Sequence, residues 1–185
     1  IANSVRIHVQ PGPLQGAAPS ILELKAFIDP KESVAVWNCD QYIISWPKTL
    51  LSIVDGWKID GWILVFTDSS KDPKWSFVKV DEQGFIDQVA EKNPISTTAT
   101  VGAYMFNTAR DLFWSIEEAI LHEDKVNNEV YLAPCYNYLI NLGRKILPVQ
   151  ITDTMEGLGT PADVDTFCKN HKLPNWQIEA AKIKL

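Results

Sequence analysis

The order of sequence patterns predicts an α/β fold around a mixed, mostly parallel sheet. Short apolar runs typical of buried strands alternate with stretches of helical periodicity in the first half of the chain. A hairpin pattern and further strand-like and helical segments follow. Such alternation is typical of helices packed on a sheet, and no repeat or linker divides the chain. We therefore predict a single domain over residues 1–185.

Four elements are predicted before residue 55. Ser4–Gln10 alternates apolar and polar residues as a strand does, until Pro11 breaks the pattern. Ala17–Ile28 has the apolar spacing of a helix. Ser33–Trp37 is a short apolar run typical of a buried strand, and Trp46–Val54 is predicted as a helix.

The remaining segments alternate between strand and helix patterns. The predicted strands are Gly61–Thr67, Trp75–Val80, Phe85–Ala90, Thr100–Phe106 and Lys145–Ile151. The predicted helices are Ala109–Leu121, Val130–Leu142, Pro161–Lys169 and Trp176–Ile183. A turn signal that ends at Gly84 joins the second and third of these strands, so we predict a hairpin there.

Composition and charge exclude several classes of protein. Apolar residues make up 46% and charged residues 22% of the chain, which are ordinary globular values. A net charge of −6 argues against a general nucleic-acid binder, which needs a basic surface. No apolar run approaches the roughly 20 residues of a membrane span, and no signal-peptide pattern opens the chain. The three cysteines lack metal-site spacing, so we expect reduced thiols and a cytoplasmic protein.

Asp40 is the first candidate for chemistry. It follows the predicted strand Ser33–Trp37 after only two residues. In an open α/β sheet, ligands bind at the carboxyl ends of the strands. A carboxylate there can hold Mg²⁺ or Mn²⁺, which prefer oxygen ligands and bridge to phosphates. From the spacing alone, a carboxylate that caps the following loop is an equally good interpretation.

Two further segments have a functional and a plainer interpretation. Small residues at 15–18 open a predicted helix, where a ligand could approach free backbone N–H groups, although a glycine there usually marks only a turn. Glu91 and Lys92 follow a strand-like segment and could meet hydroxyls and a phosphate, or could form a solvated surface pair. The Trp75-Ser76-Phe77 stretch is interpreted as packing.

The order of these segments resembles the sugar nucleotidyltransferase family, which makes nucleoside-diphosphate sugars. The resemblance runs from Gln15 to Phe167 and is most specific in Trp75–Ser96 and Asn127–Ile140. Within the family, the chain looks most like the branch associated with capsule and surface polysaccharide synthesis. The resemblance implies a Rossmann-like three-layer sandwich that acts on a nucleoside triphosphate and a sugar-1-phosphate with Mg²⁺ or Mn²⁺.

The resemblance also implies a role for each matching residue, with Asp40 and Lys92 as the catalytic pair. The residues matched to the nucleobase are Gln15, Gly16, Ala17 and Ala18, and Asp40 is matched to the metal. The residues matched to the sugar-phosphate substrate are Gln41, Glu91, Lys92, Gly102 and Glu129.

Two departures from the family pattern bear on activity. The family's N-terminal G-x-G-x-R loop, which holds the triphosphate, has no match in these residues. We therefore expect a domain that is incomplete at its N-terminus and residues 1–185 that do not catalyse the reaction alone. The family's second metal aspartate falls at Gly157, and Asp163 and Glu156 are left as alternatives.

Two other functions remain open from the sequence. One is a metal-dependent glycosyltransferase of the same fold, which would release a nucleoside diphosphate instead of pyrophosphate. The other is a catalytically inactive relative that binds nucleotide sugars or regulates a partner, which the absent loop favours. The sequence identifies neither the base nor the sugar, and it leaves a homo-oligomer open.

Overall fold

The computed structural model describes residues 5–12, 15–43, 58–151 and 155–173, which contain eight strands and four α-helices. The strands are β1 (Val34–Trp37), β2 (Gln41–Ile43), β3 (Gly61–Thr67), β4 (Ser76–Val80), β5 (Ile86–Glu91), β6 (Thr98–Phe106), β7 (Ile146–Gln150) and β8 (Met155–Gly157). The helices are α1 (Ala17–Leu22), α2 (Ala109–Leu121), α3 (Leu132–Asn141) and α4 (Pro161–Asn170), and a 3₁₀ turn covers Lys25–Phe27. No helix among these is long and apolar enough to cross a bilayer.

Strand β6 organises the main sheet, whose order is β5-β4-β6-β3-β7 with β1 also paired to β6. β3 runs antiparallel along one side of β6. On the other side, β1 pairs with the last part of β6 and β4 with its first part, both antiparallel. The sheet is mixed, as predicted. Only β3 and β7 pair in parallel among the described strands, so it is mostly antiparallel there and not mostly parallel as expected. A small antiparallel sheet of β2 and β8 lies apart.

The main sheet separates two apolar clusters, as a layered α/β fold requires. One cluster packs helices α1, α2 and α3 against the sheet and includes Ile63 and Val65 of β3. The other lies on the opposite face and includes Trp62 and Leu64 of the same strand. Successive side chains of a strand point to opposite faces, so a strand covered on both faces needs a continuous apolar run. This explains the composition of Gly61–Thr67 and confirms its prediction as a buried strand.

The other element predictions have mixed outcomes. The hairpin, the strands that became β6 and β7, and helices α2 and α4 are confirmed to within about two residues. Residues 5–10 form no strand, and the side chains of Val5, Ile7 and Val9 are exposed, so this prediction is wrong over the described residues. The predicted helix Ala17–Ile28 is divided into α1 and the 3₁₀ turn. The two helices predicted over residues 46–54 and 176–183 lie outside the described residues.

Tyr136 of α3 joins the helix layer to the sheet. Its ring stacks on Phe106 with centroids 4.3 Å apart, and its hydroxyl donates a hydrogen bond to the carbonyl of Met105 at 2.8 Å. Tyr136→Phe is expected to lower the free energy of unfolding by about 1–3 kcal/mol, because the buried carbonyl loses its donor. Urea unfolding measures the effect. Tyr138→Phe is the control, because the hydroxyl of Tyr138 bonds to the exposed Asp124. Equal losses in the two variants would contradict it.

Candidate functional site

A cavity of about 710 Å³ lies where several strand ends meet loops. It is bordered by the end of β5, the starts of β2 and β4, the first residues of α1 and α3, and the loop between β8 and α4. Seven of the ten predicted site residues line it: Ala17, Asp40, Gln41, Glu91, Lys92, Gly102 and Glu129. Residues that are far apart in sequence thus meet in one concave space, which is the usual form of a small-molecule site.

Asp40 reaches this cavity from the turn between β1 and β2. Its carbonyl accepts a hydrogen bond from the N–H of Leu158 at 2.7 Å, which ties the turn to the β8–α4 loop. Its Oδ1 and the Oε1 of Gln41 are buried without a hydrogen-bond partner. Capping of a loop therefore does not account for Oδ1. Unpaired acceptor oxygens on two consecutive residues suit a hard divalent cation, so the residues fit Mg²⁺ or Mn²⁺.

Both candidates for a second metal carboxylate, Glu156 and Asp163, are bonded to other residues. A Cβ at Gly159 would lie 3.2 Å from Oδ2 of Asp40, so glycine keeps that side open. Glu156 lies 2.9 Å from the Nε2 of His171 and does not line the cavity. Asp163 lines it but forms a capping box with Thr160. The described residues contain no cluster of three or more His, Cys, Asp or Glu side chains that could hold a metal ion.

Gly102 of β6 lets the side chains of Asn38 and Gln41 approach the backbone closely. Its φ of +88° lies in the left-handed region, and a Cβ there would sit 2.7 Å from the Nδ2 of Asn38 and 3.0 Å from the Oε1 of Gln41. The neighbouring N–H of Asn38 donates to the carbonyl of Gly102 at 2.9 Å. Glycine is therefore required so that the side chains beside Asp40 can pack against β6.

Glu91 and Lys92 are placed by the β4–β5 hairpin. Glu91 lies opposite Ser76, whose hydroxyl donates to its carboxylate. Burial raises the pKa of the Glu91 carboxyl, with Ser76 and Lys92 acting in the opposite direction. Lys92 has a left-handed φ of +53°, and its N–H donates to the carbonyl of Trp75 at 3.0 Å. A non-glycine residue held in this conformation at a cavity wall is typical of a functional position.

Tyr131 is a cavity residue that the sequence analysis missed. Its hydroxyl accepts a hydrogen bond from the Nζ of Lys92 at 2.6 Å. It follows a tight turn in which Asn127 and Asn128 have φ values of +52° and +64° and in which Val126 and Glu129 exchange backbone hydrogen bonds. Asparagine tolerates this conformation, so the Asn-Asn pair was a usable signal for the turn that presents Glu129 and Tyr131.

Trp75 also lines the cavity, although the sequence suggested only packing. Its ring meets Phe66 edge-on and lies beneath the Nζ of Lys74, 4.6 Å from the ring centroid. A Cβ at Gly157 would lie 2.8 Å from the Cη2 of Trp75. The glycine at this position therefore leaves room for the indole in the cavity wall.

Residues 15–18 hold the start of α1 against the segment before α3. The Val130 N–H donates to the carbonyl of Gln15 at 2.8 Å, and the Ala18 N–H donates to the carbonyl of Val130 at 3.2 Å. Gly16 has a φ of +111°, and a Cβ there would lie 2.4 Å from the carbonyl oxygen of Val130. Only Ala17 of this group lines the cavity. The N–H of Ala18 is not open to a ligand, because it already donates to Val130. The predicted contact with a nucleobase stays a prediction.

No protein-family model matches the sequence, and no curated protein matches it. Solved structures do match. The chain is similar to the nucleoside-diphosphate-sugar pyrophosphorylase from Vibrio cholerae RC9, with a TM-score of 0.70 and 28% identity over 85% of this chain and 66% of that one. It is also similar to a UDP-glucose pyrophosphorylase complexed with UDP-glucose, with a TM-score of 0.74 and 19% identity over 89% of this chain and 64% of that one.

A third similar structure is the inositol-1-phosphate CTP transferase from T. maritima, with a TM-score of 0.58 and 17% identity over 80% of this chain and 58% of that one. The chain thus spans no more than about two thirds of the length of these three proteins. Across that span, it has the α/β fold of nucleotide-sugar pyrophosphorylases and related nucleotidyltransferases.

Proposed function

We propose that the full-length protein transfers a nucleotidyl group from a nucleoside triphosphate to a sugar-1-phosphate. The products would be a nucleoside-diphosphate sugar and pyrophosphate. The observation that carries the proposal is that Asp40, whose Oδ1 is buried and unpaired, lines one cavity together with Glu91 and Lys92. The similarity to a nucleoside-diphosphate-sugar pyrophosphorylase supports the same reaction.

In this reaction, an oxygen of the sugar phosphate attacks the α-phosphorus of the triphosphate. A bond forms between that oxygen and the α-phosphorus, the bond to the bridging oxygen of the β-phosphate breaks, and pyrophosphate leaves with the electron pair. No covalent intermediate with the protein is needed. The protein's work is to align the two phosphates and to offset negative charge.

Asp40 and Gln41 are proposed to hold a divalent cation through their unpaired oxygens, with substrate and water oxygens completing its ligands. When bound, such a cation offsets charge on the phosphate oxygens of the nucleotide. Lys92 supplies a second positive charge in the same cavity and is proposed to meet the sugar phosphate. Glu91 is proposed to accept a hydrogen bond from a sugar hydroxyl.

A screen for pyrophosphate release tests the proposal. The full-length protein is assayed with each common nucleoside triphosphate paired with common sugar-1-phosphates in the presence of Mg²⁺. Turnover with one or a few pairs is expected. Absence of pyrophosphate with every pair would favour the non-catalytic alternative, and release of a nucleoside diphosphate from a nucleotide sugar would favour the glycosyltransferase.

Lys92→Met is expected to weaken binding of the sugar phosphate by about tenfold or more and to change nucleotide affinity much less. The reason is the loss of one charge-assisted hydrogen bond, worth roughly 1.5–3 kcal/mol, to the sugar phosphate. Calorimetry with each ligand measures both affinities. Lys79→Met is the matched control, because Lys79 is an exposed lysine beside Asp87 and outside the cavity. Equal weakening of the two ligands would contradict the role given to Lys92.

A further inference from the structure

We infer that Tyr131 is a positioning residue that fixes the ammonium group of Lys92 in the cavity through its hydroxyl. The Nζ of Lys92 donates a hydrogen bond to the hydroxyl of Tyr131, and Glu129 lines the same cavity. The inference rests on the proposed function, in which Lys92 binds the phosphate of a sugar phosphate. It adds that the Tyr131 hydroxyl fixes the position of the Lys92 ammonium group before the substrate binds.

The backbone of Lys92 is fixed on one side of the cavity. Its left-handed φ of +53° and the hydrogen bond from its N–H to the carbonyl of Trp75 set where the side chain begins. The side chain then crosses from the β4–β5 hairpin to the segment before α3. There, its Nζ lies 2.6 Å from the hydroxyl of Tyr131 and 4.7 Å from the centroid of the ring.

Tyr131 is itself held firmly, so it can serve as an anchor. The preceding Val130 is buried, and its N–H donates to the carbonyl of Gln15 at 2.8 Å. The carbonyl of Tyr131 accepts a hydrogen bond from the thiol of Cys135 within the first turn of α3. A lysine side chain has many accessible rotamers, and fixing it beforehand reduces the entropy that a ligand would otherwise have to offset.

The Tyr131 hydroxyl is neutral, which suits a group that holds the charged ammonium of Lys92. The Tyr131 hydroxyl raises the pKa of Lys92, with Glu91 and Glu129 acting in the same direction and burial opposing them. Burial and a hydrogen bond to Glu129 raise the pKa of the Tyr131 phenol, so it stays protonated. A neutral hydroxyl orients the ammonium group without cancelling its charge, whereas a carboxylate in the same place would compete with a phosphate.

Tyr131→Phe tests the inference because it keeps the ring and removes only the hydroxyl. The Lys92 side chain is followed by ¹³C NMR in the full-length protein, with Lys92→Met used to assign its signal. The pKa of Lys92 is expected to fall in Tyr131→Phe. A titration with inorganic phosphate, followed on the same signal, is expected to show binding weaker by roughly two- to tenfold, as for the cost of fixing one flexible side chain on binding.

Tyr138→Phe is the matched control, because it removes a tyrosine hydroxyl bonded to Asp124 outside the cavity. It is expected to leave both the Lys92 pKa and the phosphate affinity unchanged. If Tyr131→Phe fails to fold by circular dichroism, Tyr131→Leu replaces it, and a fall in the Lys92 pKa is again expected because the hydroxyl is absent.

An unchanged Lys92 pKa in the Tyr131 variant would show that the Tyr131 hydroxyl does not hold the ammonium group. A lower pKa with unchanged phosphate affinity would overturn the positioning role. Phosphate binding that depends on Tyr131 in a protein that releases no pyrophosphate would support the inference and contradict the proposed function, so the two failures are distinguishable.

Discussion

Asp40→Asn is expected to slow pyrophosphate release by the full-length protein about 10²–10³-fold, as for the loss of one charge-stabilising group in an active site. Asparagine keeps the size of the side chain but removes the charge that would hold a divalent cation. The Oδ1 of Asp40 has no hydrogen-bond partner among the described residues, so the substitution removes little that supports the fold. The measurement is the initial rate at limiting Mg²⁺, with thermal unfolding as the check on folding.

Asp87→Asn is the control for this prediction, because Asp87 lies on β5 and pairs with the exposed Lys79 outside the cavity. It is expected to retain the rate of the unchanged protein. A rate for Asp40→Asn within a fewfold of that for Asp87→Asn would contradict the metal site. A rate that falls together with a loss of the folded state would show that Asp40 has a structural role.

Gly102→Ala is expected to damage both stability and activity. The substitution places a Cβ in a left-handed backbone conformation, which costs of order 1–3 kcal/mol. The same Cβ would lie 2.7 Å from the Asn38 amide and would push Asn38 and Gln41 away from β6. Because Gln41 adjoins Asp40, the rate of pyrophosphate release is expected to fall by at least tenfold. Urea unfolding and the initial rate measure the two effects.

Gly84→Ala separates strain from displacement. Gly84 has a φ of +89°, close to that of Gly102, but a Cβ there has no neighbour within 4 Å. This variant carries the backbone strain alone, so we expect a smaller loss of stability and an unchanged rate. Equal losses of stability in Gly84→Ala and Gly102→Ala would contradict this, because they would mean that Asn38 moves away from the new Cβ at position 102 without a free-energy cost.

The parts of the fold that could be predicted from sequence are those that local patterns determine. The continuous apolar run Gly61–Thr67 predicts a strand covered on both faces, and β3 is such a strand. The turn ending at Gly84 predicts the β4–β5 hairpin. Asp40, placed just after a predicted strand, does line a cavity, although β1 is antiparallel to β6 and half exposed instead of buried.

Pairing partners and side-chain contacts across the fold could not be predicted in this way. An apolar run is equally compatible with a parallel or an antiparallel neighbour, so the antiparallel placement of β6 was missed. Val130 was assigned to a helix because it is apolar, whereas its N–H pairs with the carbonyl of Gln15 and the helix begins at Leu132. The contact of Tyr131 with Lys92 joins residues 39 positions apart, which no local pattern indicates.

The proposed reaction makes a nucleotide sugar and releases pyrophosphate. Phosphorus-31 NMR tests it most directly, because it identifies every phosphorus-containing product in one spectrum. The full-length protein is incubated with a nucleoside triphosphate, a sugar-1-phosphate and Mg²⁺. Equal amounts of pyrophosphate and a nucleoside-diphosphate sugar are expected with the active pair. Unchanged substrates across every pair, or a nucleoside diphosphate formed from the triphosphate or from an added nucleotide sugar without pyrophosphate, would contradict it.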